Sequence, residues 1–355
     1  MTTVETSAPP ARRPRVPPIV RYLARRLAIA VGLLFGSTLI GFLLVQAVPG
    51  DPVAANLSDE ALGDPAAVAA FEQRWGLDEP LPVQYLTYLR NLVQGDLGTS
   101  QHTGRPVVED LLDHIPATLE IALPAILLSV LLGIGIGMFA ALRHGRAADQ
   151  AVRIGSLLGL STPPFWLSLL ALYLFFFVLG LSPGGGRLSP EFSPPPSVTG
   201  LYPVDALLAG DPMLAWDAVQ HAALPVLVLT LVTTATLVRF VRSALLEVLR
   251  KDYITAAHAK GLPPRTVLFR HLLRAGLVQI MTMAGLTFAS MLAGTVLIES
   301  VFAWPGLGNY AYTSASALDR PAILGVTLFV AATYILINLV VDLLYGLADP
   351  RIRLS

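Results

Sequence analysis

The chain has 355 residues, 54% of them apolar and only 14% charged, with zero formal net charge and a mean hydropathy of +0.65. Soluble domains average about 25% charged residues, so the composition is that of a membrane protein, and zero net charge gives no bulk attraction to nucleic acid. Cysteine is absent, which removes disulfides, thiolate metal sites and thiol nucleophiles.

Residues 1–18 are polar and proline-rich, the composition of a disordered tail. Charge-free stretches long enough to span a bilayer then fall at 27–50, 121–142, 154–186, 218–238, 275–298, 300–318 and 321–341. The stretch 300–318 differs from the others, because it mixes Gly, Pro and hydroxyl residues. It reads as a re-entrant or surface segment, which leaves six spanning helices. The first span, within 19–50, acts as its own signal anchor. A subdomain at 51–115 follows, with helix-like pieces near 66–75 and 82–94. The core at 116–348 carries spans two to six, and 349–355 forms a tail. Residues 183–217 are Gly/Pro-rich and read as irregular. Pro116 opens the second span and Pro124 lies inside it. Ser161-Thr-Pro-Pro-Phe-Trp166 predicts a bend in the third span, with Ser161 or Thr162 satisfying freed carbonyls. Such a bend is either a structural kink or a substrate contact.

Loop charge sets the orientation. The loop 51–115 holds eleven acidic residues, and 187–217 holds four against a single Arg. The tail before the first span, the loop 143–153 and the loop between Arg239 and Arg274 are basic; the last carries eight of the 24 Lys and Arg. Basic and acidic loops alternate, so both termini are expected in the cytoplasm. The basic loop 239–274 also encloses a short helix-forming patch, Asp252-Tyr-Ile-Thr-Ala-Ala-His-Ala-Lys-Gly261, stopped by Leu-Pro-Pro. That is the form of a helix presented to another protein.

Catalytic signatures are missing. Neither lysine, Lys251 or Lys260, is followed by Ser or Thr, so there is no Walker A loop, and no HExxH or Gly-x-Ser-x-Gly occurs. The spans are almost free of ionisable groups. Glu299 and Asp342 stand near span ends, where they can reach water or a Lys or Arg. An ion-coupled carrier acting alone keeps acids or broken helices near the midplane, so energy supplied by a nucleotide-hydrolysing partner is the better reading.

These residues carry a resemblance. Thr255-Ala-Ala-His-Ala-Lys-Gly261 resembles the EAA motif of ABC importer permeases. Pro49-Gly-Asp-Pro52, Gly95-Asp-Leu-Gly-Thr-Ser100, Pro116-Ala-Thr-Leu-Glu120, Ser161-Thr-Pro-Pro-Phe-Trp166, Val267-Leu-Phe-Arg-His-Leu-Leu-Arg274, Glu299-Ser-Val-Phe-Ala-Trp-Pro-Gly-Leu-Gly308 and Asp349-Pro-Arg-Ile-Arg353 resemble the dipeptide/oligopeptide/nickel permease family, most closely its first permease of the dipeptide type. Thr255 stands where the wider motif has Glu, and His258 replaces a more frequent Arg. The downstream proline is missing, with Gln279 at the start of the fifth span.

The resemblance implies an all-α type I importer permease with a cytoplasmic coupling helix at 252–262, working by alternating access. It implies a second, similar permease, two ATPase subunits that bind the ATP and Mg, and an extracytoplasmic substrate-binding protein; this chain would hold no cofactor, metal or catalytic group. Peptide is the implied substrate, with nickel or another small solute as the alternative. On that reading Tyr253, Thr255, Ala256, Ala257, Lys260 and Gly261 form the ATPase contact, because small residues allow close backbone approach. Ala257 and Gly261, four apart, are placed on one face. Arg250, Lys251 and Arg265 either frame that contact or only fix topology. Thr287, Ser290 and Met291 are candidates for the translocation path or gate, and ordinary interhelical hydrogen bonding is the competing account. The same choice holds for Thr230, Thr233 and Thr234. Glu299 with Trp304, Pro305, Gly306 and Gly308 is expected to form a re-entrant element at the external end of the fifth span. Gly32 and Gly36 form a GxxxG pair that packs against either a partner permease or this chain.

Overall fold

The computed structural model describes residues 18–348, and every regular element among them is helical. The tails expected at 1–18 and 349–355, including Asp349-Pro-Arg-Ile-Arg353, lie outside the described residues, apart from Pro18. Five helices are long and apolar enough to cross a membrane, and the number is six when a pair bent by 96° is counted as one span. The first is α1 (Pro18–Ala47). Next, α2 (Pro65–Trp75) and α3 (Leu81–Val93) fall on the helix-like pieces expected between spans, and neither has a buried residue.

The second span, α4 (Val107–Leu142), starts well before the charge-free stretch and carries both Pro116 and Pro124 inside it. The sequence places its start too late because Asp110 and Glu120 are charges that the fold satisfies internally. Asp110 accepts from Thr103 at 2.7 Å and Tyr310 at 3.2 Å, and Glu120 from Arg187 at 2.5 Å and the Tyr202 N–H at 2.8 Å. The long α8 (Pro212–Leu249) outruns its charge-free stretch for the same reason. Its Asp217 accepts from Ser189, and its Arg242 donates to Asp149.

The third span is two helices, α5 (Ala147–Ser161) and α6 (Pro164–Ala171, widening into a π-helical stretch Leu172–Val178), bent by 96°. Thr162 and Pro163 are both extended, and neither proline has an N–H to continue the ladder. The Thr162 hydroxyl donates to the Leu158 carbonyl at 2.8 Å, but that carbonyl already accepts from the Thr162 N–H at 3.1 Å, so the hydroxyl does not satisfy a carbonyl that the prolines free. Residues 179–201 have no regular element, and a short helix α7 (Tyr202–Leu208) precedes α8.

After α8 comes α9 (Asp252–Ala259), then Pro264–Thr266 and a π-helical stretch Val267–Leu273 that flow directly into α10 (Arg274–Gly294). With Gln279 in place of proline, no break marks the start of the fifth span. The stretch 300–318 does not cross. The helix α11 (Val296–Val301) turns sharply at Ala303 (φ 47°) into α12 (Leu307–Ser316), and α13 (Arg320–Ala348) is the last span.

The central layer is α4 against α8. Here the packing glycines are Gly133 and Gly137, whose Cβ positions would lie 2.7 Å from Leu237 and 2.8 Å from Val241. Among the described residues Gly32 and Gly36 meet nothing within 4 Å, so they do not pack against any described part of this chain. Polar contacts join two sets of segments. Loop 96–113 and 187–202 meet 299–319 and the start of α4, through Ser100 to Asp319 and Glu120 to Arg187. Segment 144–149 meets Arg242, and Arg26 pairs with Asp342.

Candidate coupling helix and translocation elements

The helix α9 is built to stand on this chain and face away from it. Lys251 is extended at its start, and Asp252 in the first turn suits the positive end of the helix dipole. At the other end Gly261 takes φ +70°, with its N–H donating to the His258 carbonyl at 2.9 Å. Residues with a Cβ pay roughly 1–2 kcal/mol for that left-handed backbone. Pro263 then caps the next helical turn and Pro264 occupies its first position, so the proline pair both stops α9 and starts its successor.

Ile254 and Ala257 are buried and pack with Val248, Val267, Leu272 and Ile280. Ala257 is therefore not on the outward face with Gly261. The four-residue spacing fails because Gly261 lies past the helix end, where the left-handed turn redirects the backbone. Tyr253, Thr255, Ala256, His258, Lys260 and Gly261 are all exposed, and nothing lies within 4 Å of a Cβ built at Gly261. Arg250, Lys251 and Arg265 surround this face and are exposed. The Lys251–Glu247 contact at 3.3 Å is a surface pair of little energetic weight.

Behind α9, Asp149 of α5 is 1% exposed and takes two hydrogen bonds from Arg242 of α8, Nε to Oδ1 at 2.6 Å and Nη2 to Oδ2 at 2.8 Å. The Gly145 N–H donates to the same carboxylate at 3.0 Å. This clamp joins the broken span to the helix that leads into α9. Sequence reading did not single it out; one acid within a basic loop was its only signal.

The path candidates do not share one environment. Thr287 is half-buried and Ser290 exposed, whereas Met291 is packed in the main core with Leu229, Leu292 and Trp304. Met291 is thus a core residue. Thr230 and Thr234 are buried with hydroxyls that have no partner, and the Thr230 carbonyl accepts from Ser129 at 3.2 Å.

The 299–308 element is buried, contrary to a surface segment. Glu299 is 0% exposed and reaches neither water nor a cation. Its Oε1 accepts from the Thr118 hydroxyl at 2.7 Å and its Oε2 from the Asn309 N–H at 2.9 Å. Trp304, also fully buried, donates its indole N–H to the Ala117 carbonyl at 2.7 Å, and the Leu307 N–H donates to Thr118 at 2.7 Å. Gly306 and Gly308 lie directly under the Glu299 carboxylate, and in the 299–308 motif only Ser300, Ala303 and Pro305 are exposed. The element is a knot pinned to α4. Beside it, burial and then the Asp110 charge push the Tyr310 phenol above its ordinary range. Arg187, sandwiched over the Tyr202 ring at 3.4 Å and paired with Glu120, was legible only as the lone Arg of an acidic loop.

Residues 133–354 match the family described as binding-protein-dependent transport system inner membrane component, and residues 19–122 match its N-terminal component. The probable D,D-dipeptide transport system permease of Escherichia coli K12 is 45% identical, over 89% of this chain and 93% of its own. The di/tripeptide transport system permease of Pseudomonas aeruginosa is 43% identical, over 94% and 99%. The dipeptide transport system permease of E. coli K12 is 37% identical, over 94% and 99%. A chain of the MetNI methionine ABC transporter, solved in inward facing conformations, aligns over 67% of this chain and 96% of its own, at 18% identity and a TM-score of 0.47.

Proposed function

The chain belongs to the family of binding-protein-dependent transport system inner membrane components, and on that premise we propose that it is the permease subunit of an ATP-driven importer of short peptides. The relatives that cover nearly all of it are named for dipeptide or tripeptide transport. In this reading a second, similar permease completes the membrane part. Two ATPase subunits bind ATP and Mg on the cytoplasmic side, and a binding protein delivers peptide from outside. The basic loops and both termini are cytoplasmic, and 51–115 faces outward.

The observation that carries the proposal is α9. It is a rigidly mounted helix whose outer face holds Tyr253, Thr255, Ala256, Lys260 and Gly261, framed by Arg250, Lys251 and Arg265. Small residues there let an ATPase cleft approach the backbone, and the flanking cations favour an acidic lip. Closure of the ATPases on ATP moves α9. The continuous helix from Pro264 through α10 transmits that movement to the fifth span, and the Arg242–Asp149 clamp transmits it to the broken third span. Thr287 and Ser290 are the path residues left once Met291 is assigned to the core.

The test is Gly261→Glu, which places a charged side chain on the docking face without disturbing the inner one. We expect the chain to remain folded while ATPase co-purification and ATP-driven dipeptide uptake are both lost. Retention of both would place the ATPase contact elsewhere.

A further inference from the structure

The end of α1, the turn after α2, α3, the loop 96–101 and the start of α13 enclose a cavity of about 610 Å³. That is the size of a small-molecule site, and it shares no residue with the coupling face or the path candidates. Three polar groups on its walls are unpaired. The Tyr88 hydroxyl and the Gln101 side-chain carbonyl are buried without a hydrogen-bond partner. Arg320 is partly buried and, among the described residues, makes no hydrogen bond or ion pair. Asp51 attracts it only from beyond contact distance. A partly desolvated guanidinium with no counter-charge in contact is unfavourable, and a carboxylate matches its fork of donors.

The rim has the opposite character. Asp78, Glu79 and Asp96 are exposed there, alongside Arg74 stacked on Trp75. The floor is closed by Phe42, Val45 and Leu324, at 7%, 8% and 7% exposure. Below the floor α1 and α13 are in close contact, since a Cβ on Gly41 would lie 3.2 Å from Thr327. Acyl chains have no way up between them, which disfavours a lipid headgroup.

We propose that this cavity binds a short zwitterionic peptide, its carboxylate on Arg320 and Tyr88, a peptide N–H on Gln101 and its ammonium towards Asp78, Glu79 and Asp96. The proposal rests on the peptide-importer reading and adds to it a peptide site on the outward subdomain, away from the path between the spans. The probe is radiolabelled trialanine, measured by equilibrium dialysis against the whole importer without its binding protein, in nanodiscs free of phosphatidylethanolamine. Saturable binding is expected, displaced by unlabelled trialanine and not by N-acetyl-trialanine amide. Arg320→Gln should weaken it at least tenfold. Asp78→Asn with Glu79→Gln, both on the exposed rim, should fold normally and weaken it several-fold, which keeps the test intact if Arg320→Gln does not assemble.

Absence of saturable binding, equal displacement by the capped peptide, or unchanged binding in both variants would overturn the site. So would a signal that appears only when phosphatidylethanolamine is added. Trialanine uptake by the complete importer with ATP, measured in parallel, separates the two levels. Uptake without this binding removes the site alone, whereas no peptide uptake by an assembly that moves another solute removes the peptide reading.

Discussion

Replacing Gly306 with alanine tests what holds the 299–308 knot. The Gly306 backbone is extended, at φ −96° and ψ −179°, a conformation alanine adopts freely, so any effect comes from the added methyl group. That methyl would lie 2.5 Å from the Glu299 carboxyl carbon and 2.5 and 2.6 Å from its oxygens. The carboxylate has nowhere to retreat while Thr118 and Asn309 hold it from 2.7 and 2.9 Å. Moving it gives up two hydrogen bonds to a charged group, about 1.5–3 kcal/mol each. Overpacking adds about 1–3 kcal/mol. Partial relaxation returns some of this, which leaves an expected loss of about 3–6 kcal/mol. Glu299→Ala removes the obstacle, so alanine at 306 in that background should cost less than about 1 kcal/mol, a strongly non-additive cycle. Unfolding in detergent, followed through the fluorescence of buried Trp304, measures each arm. If Gly306→Ala is tolerated alone, or if the two costs simply add, the steric account of the motif glycines is wrong.

Three further outcomes are expected. Arg242→Gln or Asp149→Asn leaves its partner buried and uncompensated, a loss of about 3–5 kcal/mol visible in thermal unfolding. Hydrogen exchange should place the first loss of protection in α5. Gly261→Ala meets no neighbour and should cost only the left-handed backbone penalty, about 1–2 kcal/mol, with ATPase co-purification retained. Burial, helped by Tyr85, pushes the Tyr88 phenol up to about 12. The unfolded chain ionises near pH 10 while the folded one keeps its proton, so this contribution to stability is full below pH 10 and falls between 10 and 12. Absorbance at 295 nm should show the late titration, and Tyr88→Phe should remove that part of the alkaline fall in stability.

Hydropathy located the five helices long and apolar enough to cross a membrane, and the bent pair 147–178, because lipid contact requires long runs without charge. It misjudged their lengths wherever charges are matched inside the protein. Asp110, Glu120, Asp217 and Arg242 all sit within helices, since Tyr310, Arg187, Ser189 and Asp149 satisfy them from segments far away in sequence. No linear pattern reveals such pairing. The break at Thr162-Pro163 was legible because its cause is covalent; its angle of 96° was not, because packing sets that. The glycine pairs make the same point. Gly32/Gly36 and Gly133/Gly137 have the same spacing, yet among the described residues only the second pair faces a helix of this chain.

The coupling helix shows where local and inherited signals compete. The family motif groups Ala256, Ala257 and Gly261 as one small surface. The 3.6-residue period pairs Ala257 with Ile254, three positions earlier, as an inward stripe, and in the structure the period prevails. The outcome fits the coupling role proposed for α9. A helix that must carry force cannot present all of its small residues outward, because something has to anchor it. Ala257 lets the backbone of α9 settle closely against the cluster of Val248, Val267 and Leu272, and Ile254 is the larger of the two buried side chains of α9. Enlarging Ala257 to leucine should therefore act as a core overpacking, at about 1–3 kcal/mol, and loosen α9 before it touches any partner. The same change at Ala256 should leave the fold intact and act only on ATPase binding. Equal loss of chain stability from both substitutions, measured on the chain alone, would mean that α9 is not mounted by its inner face.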